Sequence, residues 1–137
     1  MYYYAKIEKE DGAFIVSFPD LSNINTYGET LEEALTNAEE ALNGSLEADF
    51  ERGFRFTKPK KYTGDEFHKV YLYPHITISY KLRSIRANQS QIDIAKKLGI
   101  SYQAYQKLEN PRKCNPTVKT LEKIARIFKK ELEVSFR

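Results

Sequence analysis

The stretch Ser90–Asn110, SQIDIAKKLGISYQAYQKLEN, decides how the second half of this chain folds. Two short amphipathic runs flank Gly99-Ile100-Ser101. The first opens at Ser90, an N-capping residue, with Asp93 placed to complete a capping box. Ile92, Ala95 and Leu98, together with Ile94, recur at helical spacing and give that run one apolar face. Gly99 follows the last helical position, where a left-handed residue ends a helix without a Cβ clash. Ser101 caps the second run. Its spacing turns Ala104, Tyr105 and Leu108 inward and leaves Tyr102, Gln103, Gln106 and Lys107 outward. Helix, tight turn and helix is the plan of a helix-turn-helix, which lays its second helix in the DNA major groove. The outward set suits that task. Gln bonds adenine bidentately, Lys reaches guanine acceptors or phosphate, and Tyr packs on a base edge or donates to phosphate. A solvated helical hairpin is the weaker reading, since it gives this particular polar set no role.

Leu98-Gly99-Ile100-Ser101 followed by Leu108-Glu109-Asn110 resembles the Cro/phage-repressor type of helix-turn-helix. The resemblance implies that Tyr102, Gln103 and Lys107 read bases and that Gln91 contacts phosphate at the start of the scaffold helix; Gln106, outward by spacing, and the capping Ser101 complete the DNA-binding candidates. It also implies that Glu109 pairs with an arginine of the preceding helix, for which Arg83 and Arg86 both qualify. That helix is expected from Pro74 to about Ala87, carried by Ile76, Ile78, Leu82 and Ile85. Beyond Asn110, the loop Pro111–Pro116 presents Arg112 and Lys113 as phosphate contacts. Cys114 lies among them. A redox role would require a thiol pKa lowered by those cations. Thr117 caps a further helix with Val118, Leu121, Ile124, Ala125 and Phe128 on its core face. Glu131–Phe136 then alternates with period two. It reads either as a short C-terminal strand pairing with the same strand of a second copy, or as a locally packed tail.

Composition separates this basic half from the rest. Residues 74–137 hold 14 Lys/Arg against 5 Asp/Glu, net +9, whereas residues 1–73 hold 8 against 14, net −6. Such asymmetry predicts two modules with different partners, residues 1–73 and 74–137. A basic module suits a polyanion. An acidic one is repelled by nucleic acid and suits a basic protein. The single cysteine allows no internal disulfide, and no apolar run approaches the roughly 18 residues of a membrane helix. With no signal-peptide layout at the N-terminus, the expected location is the cytoplasm.

In the acidic module, Tyr2–Lys9 and Ala13–Phe18 read as strands joined at Asp11-Gly12, a strong hairpin signal. Phe14, Val16 and Phe18 share a face, and Pro19 stops the second strand. Asn23–Tyr27 is a third short strand. Thr30-Leu31-Glu32-Glu33 is a capping box that opens a helix to about Arg52, with Leu31, Leu35, Ala38, Leu42, Leu46 and Phe50 as its buried stripe. Phe54–Phe67 reads as a long loop and Lys69–Tyr73 as a fourth strand. The expectation is an α+β chain, βββαβ followed by an all-α helix-turn-helix domain.

The order and its residues resemble the N-terminal domain of HicB-type antitoxins. The signatures are Tyr3-Tyr4, Asp11-Gly12, Phe18-Pro19-Asp20-Leu21, and Gly28-Glu29-Thr30-Leu31-Glu32-Glu33-Ala34. The resemblance implies a partial ribonuclease-H-like fold. It also implies a partner, a HicA-type toxin that is a small basic messenger-RNA-cleaving ribonuclease. Charge alone selects Asp20, Glu32, Glu39, Glu40 and Glu47 as toxin-facing candidates. Double-stranded operator DNA and a second copy, in a homodimer or higher even oligomer, complete the expected partners. A ribonuclease-H-like fold raises a metal-dependent nuclease as an alternative. That chemistry needs clustered carboxylates on two metals, and only Asp20 sits clearly at a strand end. His68 and His75 make no metal-ligand pattern. No enzyme activity and no cofactor are expected. A repressor that senses a small molecule is the other alternative, but no motif for a convergent polar pocket is present.

Overall fold

The computed structural model of the chain describes residues 1–53 and 55–137. They form two compact units, Met1–Pro74 and His75–Arg137. The architecture is α+β.

The first unit runs β1 (Tyr2–Glu10), β2 (Ala13–Ser17), β3 (Asn25–Gly28), α1 (Leu31–Glu51) and β4 (Phe67–Tyr71). The sheet is antiparallel throughout, in the order β3-β2-β1-β4. Asp11 at φ 50° and Gly12 at φ 81° make the β1–β2 turn, and both positions need the left-handed backbone that this dipeptide adopts readily. Strict alternation then assigns faces. Tyr3, Ala5 and Ile7 of β1 are buried, as are their cross-strand partners Val70 and Val16. Tyr2, Tyr4 and Lys6 turn to the opposite face. α1 packs on β3, β2 and β4 and covers the buried side.

The helix buries Ala38, Leu42 and Leu46 of the expected stripe but departs from it at Leu31, which is 39% exposed, and it adds Ala34 and Asn43. The cause lies in β3. Gly28 approaches α1 so closely that a Cβ built on it would stand 2.3 Å from the Ala34 backbone nitrogen. This close approach seats Ala34, not Leu31, against β3 at the start of the helix. Gly28→Ala should therefore lower the stability of this unit by about 2 kcal/mol, as overpacking does. Urea unfolding followed by circular dichroism reads it, and an unchanged midpoint contradicts the contact.

β4 begins earlier than the expected Lys69, because its ladder with β1 runs from Tyr2↔Tyr71 to Lys6↔Phe67. Beyond the ladder, Leu72 N donates to the Met1 carbonyl at 3.0 Å. Residues 55–66 have no regular structure, in keeping with a long loop. Phe54, the start of that expected loop, lies outside the described residues.

The second unit comprises α2 (Pro74–Arg86), α3 (Gln91–Leu98), α4 (Tyr102–Leu108) and α5 (Val118–Ile127). Leu82, Ile94, Ala95, Tyr105, Leu108 and Ile124 form its core, with Ile78, Ile85, Leu98, Ile100, Ile127 and Phe128 packed around them. Three residues expected on apolar faces are exposed instead. Ile92 of α3 is 49% exposed, Val118, the first residue of α5, is 64% exposed, and Ala104 is exposed. Residues 131–137 form no strand within the single chain. A strand needs a neighbour for its N–H and C=O groups, and no strand among the described residues pairs with this segment. Leu132, Val134 and Phe136 are exposed, Phe136 at 99%.

Candidate nucleic-acid interface and the acidic helix

The geometry of α3 and α4 follows from their caps. Ser90 Oγ accepts from Ile92 N at 3.1 Å and Asp93 N at 3.4 Å. Gly99 closes α3 at φ 71°, and Ile100 N returns to the Ala95 carbonyl at 3.1 Å. Ser101 Oγ accepts from Ala104 N at 3.0 Å and opens α4. Three residues thus end one helix and start the next. From this turn α4 exposes Tyr102, Gln103, Gln106 and Lys107, and buries Tyr105 and Leu108. Asn110 organises the loop that follows: its Oδ1 accepts from Arg112 N at 3.0 Å, and its carbonyl accepts from Lys113 N and Cys114 N at 3.0 and 2.8 Å. Arg112 and Lys113 are thereby exposed just past the end of α4, on the same short segment as its polar face. Cys114 is turned inward. Burial pushes its thiol up to about 11, the opposite of the lowered pKa a redox-sensing cysteine needs.

Glu109 sits beneath this surface, 2% exposed. Arg86 holds it bidentately, Nε to Oε2 at 2.6 Å and Nη2 to Oε1 at 2.8 Å. The arginine left open by the sequence is therefore Arg86. Its Nη1 also donates to the Gln89 carbonyl at 2.8 Å, which fixes the short link before α3. Arg83 instead lies over the Tyr80 ring, 5.3 Å from its centroid, and burial lowers its pKa. Gln91 Nε2 donates to Glu109 Oε1 at 3.2 Å. One carboxylate so ties the end of α2, the start of α3 and the end of α4, and orients the Gln91 side chain. Burial alone would raise the Glu109 pKa, but the hydrogen bonds from Arg86 and Gln91, with the Tyr105 hydroxyl beside it, outweigh that and hold it below the usual range. Burial, and then the nearby Glu109 charge, push the Tyr105 phenol far upward.

In the first unit the acidic candidates do not all come together. Glu39, Glu40 and Glu47 of α1 lie near Tyr73, whose pKa is raised by burial and then by their three charges. Glu32 stands apart in the first turn of α1, where an acid is favourable to the helix dipole. Asp20 is engaged within the fold. Its Oδ1 accepts from the Tyr62 hydroxyl at 2.7 Å and its Oδ2 from Lys60 N at 2.8 Å, anchoring the loop before β4. Among the described residues no three His, Cys, Asp or Glu side chains are grouped to hold a metal, and no helix is long and apolar enough to cross a membrane.

Sequence reasoning missed Asn43. It is 1% exposed in the middle of α1. Its Nδ2 donates to the carbonyls of Glu39 and Tyr71 at 2.9 and 3.2 Å, and its Oδ1 accepts from Tyr73 N at 2.8 Å. The only signal was a polar residue beside Leu42 in the stripe, which the apolar pattern passes over.

Two family models match the chain. One, described as the HicB-like antitoxin of bacterial toxin-antitoxin systems, matches residues 2–77. The other, described as helix-turn-helix, matches residues 82–134. Antitoxin HicB 1 of Photorhabdus laumondii subsp. laumondii is 28% identical over 126 residues, covering 92% of this chain and 80% of that protein. Among solved structures, the N-terminal domain of Burkholderia pseudomallei antitoxin HicB is 25% identical, covers 53% of this chain and 99% of its own, and has a TM-score of 0.48. A chain of the HicA3 and HicB3 toxin-antitoxin complex is 30% identical, covers 54% of this chain and all of its own, and has a TM-score of 0.47.

Proposed function

This chain belongs to the HicB-like antitoxin family, and from that premise we propose that it neutralises a HicA-type toxin with its first unit and represses its own operon with its second. Family membership sets it among antitoxins and not enzymes. The observation that carries the reading is the tandem order: an antitoxin domain over residues 2–77 and a helix-turn-helix over 82–134, with opposite net charges.

The toxin expected of this family is basic, since it binds messenger RNA. The acidic cluster of Glu39, Glu40 and Glu47 on α1 is the surface of matching sign, and its field both steers encounter and disfavours wrong partners. Inhibition is steric: the antitoxin occupies the face the RNA needs and supplies no chemistry. Asp20, held in its loop, is the weakest of the toxin-facing candidates. The test is co-expression of the full chain with the HicA-type protein encoded beside it. Growth is restored if the reading holds, and restored less by Glu39→Lys/Glu40→Lys. Growth arrest that the full chain cannot relieve removes the toxin assignment.

For DNA, the proposed readers are Tyr102, Gln103, Gln106 and Lys107, with Ser101, Gln91, Arg112 and Lys113 on phosphates. The protein acts in the cytoplasm as a homodimer or higher even oligomer, which sets two recognition helices about one turn apart on a palindromic operator. The exposed, alternating tail with Leu132, Val134 and Phe136 is the segment proposed to pair with its copy. Gln103→Ala is expected to weaken operator binding by about 1–3 kcal/mol and to spare random DNA, whereas Arg112→Ala weakens both alike. Gel-shift titrations on the two duplexes separate these outcomes. Equal losses for both variants on both duplexes contradict the assignment of roles.

A further inference from the structure

The face of the sheet opposite α1 carries an aromatic and basic patch with no part in the functions above. Alternation along β1 brings Tyr2, Tyr4 and Lys6 to this face, and the register sets Tyr71 beside Tyr2, Lys69 beside Tyr4 and Phe67 beside Lys6. The rings form one connected cluster. Tyr2 meets Tyr4 and Tyr71 edge-on at 5.5 and 5.3 Å between centroids, Tyr4 meets Tyr62 at 6.2 Å, and Tyr62 stacks on Phe67 at 5.1 Å. Beside Tyr2 and Tyr71 opens a shallow cavity of about 320 Å³, completed by Met1, Pro59, Lys60 and Lys61. Lys69 Nζ lies 5.0 Å from the Tyr2 ring centroid.

The charge here is the reverse of its surroundings. Residues 1–73 are net −6, yet Lys60, Lys61 and Lys69 gather at this one edge. Of the acids close by, Glu8 pairs with Lys6 at 3.2 Å and Asp20 holds the loop that carries Lys60 and Tyr62, while Asp65 and Glu66 precede Phe67 in the same loop. A basic protein is repelled by such an edge and an anion is drawn to it. The choice against the toxin as occupant rests on the toxin reading above. Half-buried aromatic rings interleaved with exposed lysines at a sheet edge suit one anion in particular, a nucleotide strand whose bases stack and whose phosphates meet the cations. The cavity falls at the small end of ligand-pocket volumes, of the order of 300 Å³, and so is suited to one base.

We infer that this sheet face binds single-stranded nucleic acid, taking a base beside Tyr2 and Tyr71 and its phosphates on Lys60, Lys61 and Lys69. The site would let the antitoxin hold a single-stranded RNA while α1 is occupied by another partner.

The test is fluorescence anisotropy of a fluorescein-labelled single-stranded RNA hexamer, A6, titrated with the full chain at low salt. Lys60→Glu/Lys61→Glu should weaken binding about tenfold or more, and Tyr2→Leu about fivefold or more. Arg112→Ala should leave it unchanged, and the sheet variants should leave operator binding unchanged. Competition with AMP distinguishes the two sources of the ligand. Displacement makes a free nucleotide sufficient and its absence makes the strand necessary; both uphold the site. The inference is overturned if the hexamer does not bind, if the sheet variants bind it like the unaltered chain, or if the loss follows Arg112→Ala instead. Toxin inhibition by the same variants is read in parallel. Lost inhibition with hexamer binding intact makes the patch a protein interface and overturns the inference. Inhibition absent even for the unaltered chain refutes the toxin reading alone.

Discussion

Glu109→Ala is expected to lower the stability of the helical unit by about 4 kcal/mol, because it leaves the largely buried Arg86 guanidinium without its counter-charge. Removing one partner of a buried pair costs far more than the pair itself contributes. The same substitution unties Gln91 from its orientation and releases the junction of α2, α3 and α4. Operator affinity should fall with stability, although Glu109 touches no base. Thermal unfolding of the full chain, with amide exchange of Ile94 and Tyr105 as local reporters, measures the first effect. A loss below about 1 kcal/mol, the range of an exposed pair, contradicts the burial and geometry described for Glu109.

The pair also fixes a pH dependence. The folded pKa of Glu109 lies below its ordinary value. A group of this kind contributes stability above its unfolded pKa, about 4.3 for Glu, and that contribution is lost as pH falls through the folded value. The helical unit should therefore weaken in acid below that point. Glu109→Gln should be less stable at neutral pH and should lack this part of the acid loss.

Asn43→Leu carries the second large expectation, a loss of about 3 kcal/mol from the first unit. Leucine is close in size, so packing changes little. What changes is hydrogen bonding: Tyr73 N–H and the Tyr71 carbonyl lose their side-chain partners at a buried place, and each orphaned group costs about 1–3 kcal/mol. These two bonds join α1 to the chain as it leaves β4. Exchange at Tyr73 N–H should accelerate more than exchange in the β1–β2 hairpin. Urea unfolding with an unchanged or raised midpoint contradicts the role given to Asn43.

The legible parts of this chain were those in which one residue dictates its own backbone. Ser90, Gly99 and Ser101 fix two helices and the turn between them whatever surrounds them. Asp11-Gly12 does the same for the hairpin, and Thr30 for the start of α1. Period-two alternation put Val16 and Phe18 on one face, and both are buried. What stayed hidden depends on a distant approach. The burial of Ala34 in place of Leu31 follows from Gly28, three residues before the helix, and no periodicity within the helix records it. Asn43 is explained by carbonyl and amide groups of residues 71 and 73. The choice of Arg86 over Arg83 needed the path of the link before α3. Asp20 showed its acid to the sequence, but its partners Lys60 and Tyr62 lie 40 and 42 residues on. The tail alternated like a strand, and alternation does not supply the neighbour a strand requires.

The central claim is that the acidic unit blocks a basic RNA-cleaving toxin. The most direct measurement titrates the HicA-type toxin's cleavage of a labelled messenger RNA with the purified full chain. Cleavage should fall to background near equimolar chain, and Glu39→Lys/Glu40→Lys should need a clear excess to reach the same point. Cleavage that continues undiminished at large excess of the unaltered chain would contradict the account.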